Sequence, residues 1–110
     1  MKRLILILAV QVVFSVNAIA AGSIAEGKEK SQVCVACHGE TGVSIAPTFP
    51  TIAGQYQDYI LHSLMAYKSG DRNNPIMSGI VAALSEQDMH DLAAYYSSQN
   101  GLQSLGLPTK

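Results

Sequence analysis

The chain has 110 residues, of which 48% are hydrophobic and 14% charged, with a formal net charge of −1. This length accommodates a single domain. Seven basic residues against eight acidic ones leave no basic patch, which argues against nucleic acid as a partner. A domain this small gains stability from a disulfide, a metal or a bound prosthetic group, and two cysteines can form only one disulfide.

Residues 1–20 have the three-part layout of a cleavable signal peptide. Lys2 and Arg3 precede an apolar run over residues 4–16, and small residues follow. The alternative is an uncleaved membrane anchor, but the apolar run is shorter than the roughly 20 residues that a bilayer span requires. We therefore expect cleavage after Ala20 and export to a periplasm.

The predicted mature domain comprises residues 21–110, with a core at about 24–100 and a loosely held C-terminal tail. Without Lys2 and Arg3, five basic residues remain against eight acidic ones. In an oxidising compartment, a pair of closely spaced cysteines needs a partner or a cofactor to account for it.

The mature sequence predicts an all-α domain with three main helices and long loops, because no segment shows the alternating pattern of a strand. Capping residues mark two helix starts, Ser23 with Glu26 and Ser85 with Asp88, and Gly70 marks a helix end. The predicted order is a helix from Ser23 through His38, a loop over residues 39–54, a helix over 55–70, a connection over 71–84 with one short helical turn, and a helix from Ser85 to near Gly101.

The stretch CVACHGETG contains Cys34 and Cys37 followed directly by His38. It is compatible with a redox disulfide, half of a zinc site or a covalent haem anchor. A thioredoxin-like disulfide belongs to a strand-helix-strand unit, and none is predicted. Zinc needs four ligands, and His62 and His90 lack finger-like spacing to the cysteines. Two thiols at this spacing can bind haem as thioethers while the next histidine ligates iron, so the motif favours haem.

The second axial ligand of such a haem decides what the protein does. An open position binds or activates small molecules, whereas two protein ligands favour electron transfer. Met77 is the favoured candidate because it lies in a predicted loop, NPIMSGI, between a proline and a glycine. Simple packing of Met77 remains the alternative at this point. The full set of candidates is Met65, Met77, Met89, His62 and His90.

Four segments follow one another along the chain, namely CVACH, PTIAGQ, MSGIVAALS and DLAAYYSSQ. In this order and at these separations they resemble class I c-type cytochromes, and within them the small bacterial cytochrome c4 and c553 group. The resemblance covers residues 24–100 and is more specific than the haem motif alone. It implies a cytochrome c fold whose helices and loops wrap around one covalently attached haem c.

The resemblance also implies roles for individual residues. Cys34 and Cys37 match the thioether cysteines, while His38 and Met77 match the axial ligands of the haem iron. Pro50 matches a proline whose backbone carbonyl accepts a hydrogen bond from the histidine ring, which fixes the ring and raises its basicity.

Further residues are expected at the haem pocket. Ile52 matches an apolar position that packs on the haem ring. Arg72, Lys68 and the pair Gln55 and Tyr56 lie in segments where they could compensate the haem propionates. The alternative is that Lys68 and Arg72 are solvated charges at a helix end.

The resemblance predicts a crossing of the N-terminal and C-terminal helices. Gly27 matches the glycine that permits close approach, and Leu92 with Tyr95 or Tyr96 matches the facing surface. Lys30-Ser31 stands where the family often has a large apolar residue, so we expect a looser crossing than usual.

The expected function is periplasmic one-electron transfer by one haem c with histidine and methionine ligands, without catalysis. Expected partners are redox proteins, namely a dehydrogenase, a reductase or a terminal oxidase, met in small transient complexes. Contact with a membrane is expected only through such partners. The alternative function is a ligand-binding or peroxidase-like haem protein with an open or labile sixth position.

Overall fold

The structure, a computed structural model, describes residues 19–102, and within that range it contains five α-helices and no strand. Nearly all of the predicted leader, and the tail beyond Leu102, lie outside the described residues. The helices are α1 (Ile24–Lys30), α2 (Gln32–His38), α3 (Gln57–Ser69), α4 (Pro75–Val81) and α5 (Glu86–Ser97).

The N-terminal helical segment is interrupted at Ser31, so the prediction of one helix from Ser23 to His38 is wrong. Its start is as predicted, because the Ser23 hydroxyl accepts a hydrogen bond from the Glu26 amide at 3.3 Å. Ser31 is buried, and its hydroxyl donates to the Lys28 carbonyl at 2.7 Å. Such a local bond from side chain to backbone competes with the helical ladder, and the chain resumes as α2 one residue later.

The C-terminal end of α3 and the N-terminal end of α4 are determined by residues close to them in sequence. Helix α3 ends at Gly70, whose φ of +88° is the left-handed conformation that favours glycine. Helix α4 begins after Asn74, whose side-chain oxygen accepts hydrogen bonds from the amides of Ile76 and Met77 at 3.0 and 3.1 Å. This cap and the proline at the first helical position extend α4 to seven residues, where the sequence predicted one short turn.

Helix α5 lies at the centre of the described fold. Its start has the predicted capping box, in which Ser85 and Asp88 each bond the other's backbone amide. Its buried side chains form most of the core cluster, which consists of Ile60, Leu92, Ala93, Tyr95 and Tyr96. The helix ends at Ser97, short of the predicted end near Gly101.

Helices α1 and α5 cross closely at Gly27, as the resemblance implies for this glycine. A Cβ atom at Gly27 would lie 2.0 Å from the Asp91 carbonyl oxygen and 2.7 Å from the Tyr95 Cβ. The facing surface is therefore formed by Asp91 and Tyr95. Leu92, which the resemblance placed in that surface, lines the internal cavity described below.

A partly buried ion pair of Lys30 stands at this crossing, where the resemblance would place a large apolar residue. Lys30 Nζ lies 2.6 Å from Asp91 Oδ2 and 2.9 Å from Asp88 Oδ1. Asp91 is 2% exposed. Burial alone would raise the pKa of Asp91, but hydrogen bonds from Lys30, the Ser23 amide and Gln87 lower it on balance. The crossing thus combines close backbone contact with a fully bonded carboxylate.

Backbone hydrogen bonds hold the long loop between α2 and α3, both within the loop and to α5. The Gly42 carbonyl accepts hydrogen bonds from the amides of Ile52 and Ala53 at 2.8 and 3.0 Å. The Gly54 amide donates to the Tyr96 carbonyl at 2.9 Å. These bonds hold the residues around Pro50 in one place although the loop has no regular structure.

Candidate functional site

A cavity of about 620 Å³ lies among α2, α3, α4, α5 and the loop between α2 and α3. Its volume is within the range of about 300–1,000 Å³ that is common for cofactor pockets. Its walls are mostly apolar and aromatic, with a few polar groups. Cys34, Cys37, His38, Pro50, Ile52, Arg72 and Met77 all line it, so most of the residues expected at the haem surround one space.

Two thiols stand together on the α2 side of this cavity. Cys34 and Cys37 are three residues apart on one helix, which puts both on the same face. Both are free and half-buried. Burial raises the pKa of the Cys34 thiol, and the adjacent Tyr96 hydroxyl acts in the opposite direction. Their spacing suits attachment of one group at two points.

The imidazole of His38 is held by the backbone of Pro50. His38 is the last residue of α2 and is 8% exposed. Its Nδ1 lies 2.8 Å from the Pro50 carbonyl oxygen. A carbonyl oxygen only accepts, so Nδ1 must carry the proton and Nε2 is the ring nitrogen left free as a ligand.

Met77 is the only methionine among the described residues that lines the cavity. Met89 is 3% exposed in the core, and Met65 lines a separate surface hollow together with His62. Neither His62 nor His90 lines the cavity. Of the five candidates for a second axial ligand, only Met77 therefore faces the same space as His38.

The expected propionate partners are divided by the structure. Arg72 lines the cavity, with its guanidinium carbon 4.7 Å from the centre of the Tyr67 ring and its Nη1 3.3 Å from Ser63 Oγ. Tyr56 is 72% exposed and does not line the cavity, so its assignment is corrected. It stands at the N-cap of α3, and Tyr59, one helical turn later, faces the cavity in its place.

Gln55 also lines the cavity, whereas Lys68 does not. The Lys68 ammonium instead bonds backbone carbonyls at the end of α4. Sequence reasoning grouped Lys68 with Arg72 because both are basic residues near the end of one helix. Lys68 lies in the last turn of α3 and bonds the end of α4, whereas Arg72 follows Gly70 and lines the cavity.

Tyr96 is a cavity residue that sequence reasoning placed in the helix crossing. Its hydroxyl is buried and has no hydrogen-bond partner among residues 19–102. Burial, together with the neighbouring Cys34 thiol, raises the pKa of Tyr96 above its usual range. The sequence signal was the pair Tyr95-Tyr96, since neighbours on a helix point about 100° apart and cannot both face α1.

The donors present fit a haem attached through two thioethers. Two thiols on one helix face, an imidazole with a free Nε2 and a thioether sulfur all border one largely apolar cavity. In the part of the chain that the structure describes, no group of three or more histidine, cysteine or acidic side chains could hold a metal ion. The zinc interpretation of the CVACH motif therefore finds no ligand set there.

Comparison with known proteins agrees with this fit. The family model for Cytochrome c matches residues 24–100. The chain belongs to the cytochrome c family. Membership means one covalently bound haem c, with Cys34 and Cys37 in the attachment positions, and it confirms the predicted cofactor and the class I cytochrome c fold.

The similar proteins include both single-domain and longer cytochromes. The chain is 48% identical over 80 residues to cytochrome c4 of Pseudomonas aeruginosa, covering 73% of this chain and 40% of that protein. It is 44% identical over 82 residues to cytochrome c-554(548) of Halomonas halodenitrificans, covering 72% of this chain and 99% of that protein.

Among solved structures, reduced recombinant cytochrome c4 from Pseudomonas stutzeri matches with a TM-score of 0.71 and 43% identity. The match covers 74% of this chain and 48% of that one. This cytochrome c thus spans about half the length of the cytochromes c4 it resembles. Among residues 19–102, no helix is long and apolar enough to cross a bilayer.

Proposed function

We propose that the protein is a one-electron carrier in which His38 and Met77 are the two axial ligands of the haem iron. The observation that carries this proposal is that the imidazole and the thioether border the same cavity as the two attachment cysteines. Haem c supplies a reversible one-electron change between ferric and ferrous iron. With both axial positions taken by side chains, that change needs no exchange of ligands.

The surrounding residues tune this centre. Cys34 and Cys37 hold the cofactor covalently, so it stays with a domain too small to enclose it by packing alone. The Pro50 carbonyl orients the His38 ring and increases its basicity. Met77 is a soft donor that favours the reduced state of the haem iron. The apolar walls act in the same direction, because they disfavour the additional positive charge of the oxidised state.

Arg72 is proposed to compensate a haem propionate. Its guanidinium reaches the cavity while remaining exposed, and contacts with Tyr67 and Ser63 limit its orientations. A planar guanidinium suits a carboxylate because it can donate two parallel hydrogen bonds. Ile52 and Gln55 are proposed to border the ring as apolar and polar contacts respectively.

We further propose that residues 1–20 direct the protein to a periplasm, where it passes electrons between redox proteins and catalyses no reaction itself. Other relatives are named as thiosulfate dehydrogenase electron acceptors. Those names support a dehydrogenase as the electron donor. A reductase or a terminal oxidase is proposed as the electron acceptor. Electron-transfer complexes of this kind use small transient interfaces.

The proposed ligation is tested by comparing Met77→Ala with Met65→Ala as a matched control. The wild-type ferric protein should show a weak sulfur-to-iron charge-transfer band at the red end of its visible spectrum. Met77→Ala should abolish this band and lower the reduction potential, because a soft donor is lost. Met65→Ala should change neither, since Met65 lies outside the cavity. A Met77→Ala spectrum identical to the wild type would contradict the assignment.

Carbon monoxide binding distinguishes the carrier from the alternative of a ligand-binding or peroxidase-like protein. If Met77 occupies the sixth position, the reduced wild type should bind carbon monoxide only slowly at neutral pH. Rapid binding would refute the carrier and favour an open or labile site. Haem staining after denaturing electrophoresis provides the control, because only a covalently attached haem remains with the chain.

A further inference from the structure

Lys68 makes contacts that the haem site does not explain. It lies in the last turn of α3, and its ammonium nitrogen is 3.5 Å from the Val81 carbonyl oxygen and 3.4 Å from that of Ala82. The same nitrogen also bonds the Leu84 carbonyl. The last carbonyls of a helix have no partner within the helix, and an ammonium offers three N–H donors. Lys68 therefore caps the C-terminal end of α4 from a neighbouring helix.

The helix that receives this cap is otherwise weakly held. Val81 is the only residue of α4 that is buried by other parts of the protein, while Pro75 and Gly79 are exposed and lie outside the cavity lining. A Cβ atom at Gly79 would meet nothing within 4 Å. A helix of seven residues is not stable alone, so α4 depends on its ends and on α3.

A second bond joins the same part of α3 to α4. Ser78 Oγ donates to the Tyr67 carbonyl at 3.4 Å. Tyr67 and Lys68 are adjacent in α3. One turn of α3 therefore binds α4 twice, through the backbone carbonyl of Tyr67 and the side-chain ammonium of Lys68. At the other end of α4, the Asn74 side chain caps the helix from the same segment of chain. Met77 lies between these two ends.

No competing partner accounts for Lys68 among the described residues. The ion pairs found within residues 19–102 involve Lys30 and not Lys68. Lys68 also lies outside the lining of the haem cavity, which separates it from Arg72.

We propose that Lys68 is a positioning residue that fastens α4 to α3 and so keeps Met77 at the haem cavity. The inference rests on the proposed function, in which Met77 ligates the iron. When α4 opens locally, Met77 leaves the cavity and an external ligand can take its place. The apparent affinity for that ligand scales with the fraction of molecules in the open state. Removing the Lys68 bonds should therefore raise that affinity without changing the iron's surroundings.

The test is a titration of the ferric holoprotein with imidazole. Binding is monitored by the loss of the sulfur-to-iron charge-transfer band at the red end of the visible spectrum. Lys68→Ala should bind imidazole about tenfold more tightly than wild type, the effect of losing a charged hydrogen-bond donor at an exposed site. Lys68→Arg should restore most of the wild-type affinity, since its guanidinium can donate to the same carbonyls. Lys28→Ala is the matched control, an exposed lysine in the last turn of α1, and should behave as wild type.

Urea unfolding followed by circular dichroism separates local from global effects. If Lys68→Ala lowers global stability but leaves imidazole affinity at the wild-type value, Lys68 is merely structural and the inference is overturned. If the wild type shows the charge-transfer band but Lys68→Ala binds imidazole with the wild-type affinity, only the role proposed for Lys68 is overturned. A wild type without the band overturns the proposed ligation by Met77, and the role of Lys68 with it.

Discussion

Two glycines inside seven-residue helices should respond in opposite directions to the same substitution. Gly27 lies in α1 against α5, where an added Cβ would be 2.0 Å from the Asp91 carbonyl oxygen and 2.6 Å from its carbonyl carbon. Gly79 lies in α4, where an added Cβ meets nothing within 4 Å. Gly27→Ala and Gly79→Ala are therefore a matched pair that differ only in surroundings.

The two effects can be estimated separately. Replacing glycine by alanine inside an exposed helix stabilises it by up to about 1 kcal/mol, which is the expectation for Gly79→Ala. At Gly27 the overlap must be relieved by moving backbone, because carbon and oxygen normally approach only to about 3.3 Å. Overpacking costs about 1–3 kcal/mol, and backbone atoms cannot rotate away as a side chain can. We therefore expect Gly27→Ala to lower the free energy of unfolding by about 2–3 kcal/mol.

Thermal and urea unfolding of the ferric holoproteins, followed by far-ultraviolet circular dichroism, measures both changes. For a domain of this size, 1 kcal/mol shifts Tm by about 4–8 °C. Gly27→Ala should therefore lower Tm by about 10–20 °C, while Gly79→Ala should leave it unchanged or raise it. If Gly27→Ala unfolds at the wild-type temperature, the helices can separate at little cost and the close crossing does not stabilise the fold.

Two further predictions concern polar groups around α5. The Tyr95 hydroxyl donates to the Glu40 carbonyl at 3.2 Å, whereas the Tyr96 hydroxyl has no partner among the described residues. Tyr95→Phe should therefore lower the free energy of unfolding, measured in urea, by about 1 kcal/mol, and Tyr96→Phe should lower it clearly less. Equal losses in the two variants would contradict this prediction. Lys30, together with hydrogen bonds from Ser85, lowers the pKa of Asp88 from 3.8 to about 2. The contribution of the Lys30 pair to stability is therefore present above about pH 4 and disappears as the pH falls towards 2. Between about pH 5 and 2, wild type should lose about 1 kcal/mol more stability than Lys30→Met, and parallel pH profiles would refute the pairing.

The features that sequence predicted best are those set by neighbouring residues. The capping box of Ser85 and Asp88 and the left-handed Gly70 depend only on backbone within a few positions. The attachment motif is equally local, because Cys34 and Cys37 share a helix face whatever packs against them. Met77 was favoured because it was expected in a loop; it lies in α4 instead, but it lines the same cavity as the two cysteines.

The features that sequence missed depend on contacts between distant segments. The break at Ser31 accompanies burial of its hydroxyl, which no local pattern reveals. Tyr56 and Tyr59 are equivalent in a sequence pattern, and only the packing of α3 decides which one faces the cavity. Lys68 likewise looked like a solvated charge or a propionate partner until the end of α4 was placed beside it.

The two sides of the haem cavity are held by different kinds of interaction. His38 is buried at the end of α2, and its ring is fixed by the carbonyl of a loop that is itself bonded to α5. Met77 lies on α4, which has one buried residue and is held largely by polar contacts at its ends. Segments with few buried apolar contacts open at lower free energy than the core. The methionine side is therefore where we expect ligand exchange to begin, and the hydrogen bonds at the two ends of α4, most of them exposed, are contacts that oppose it.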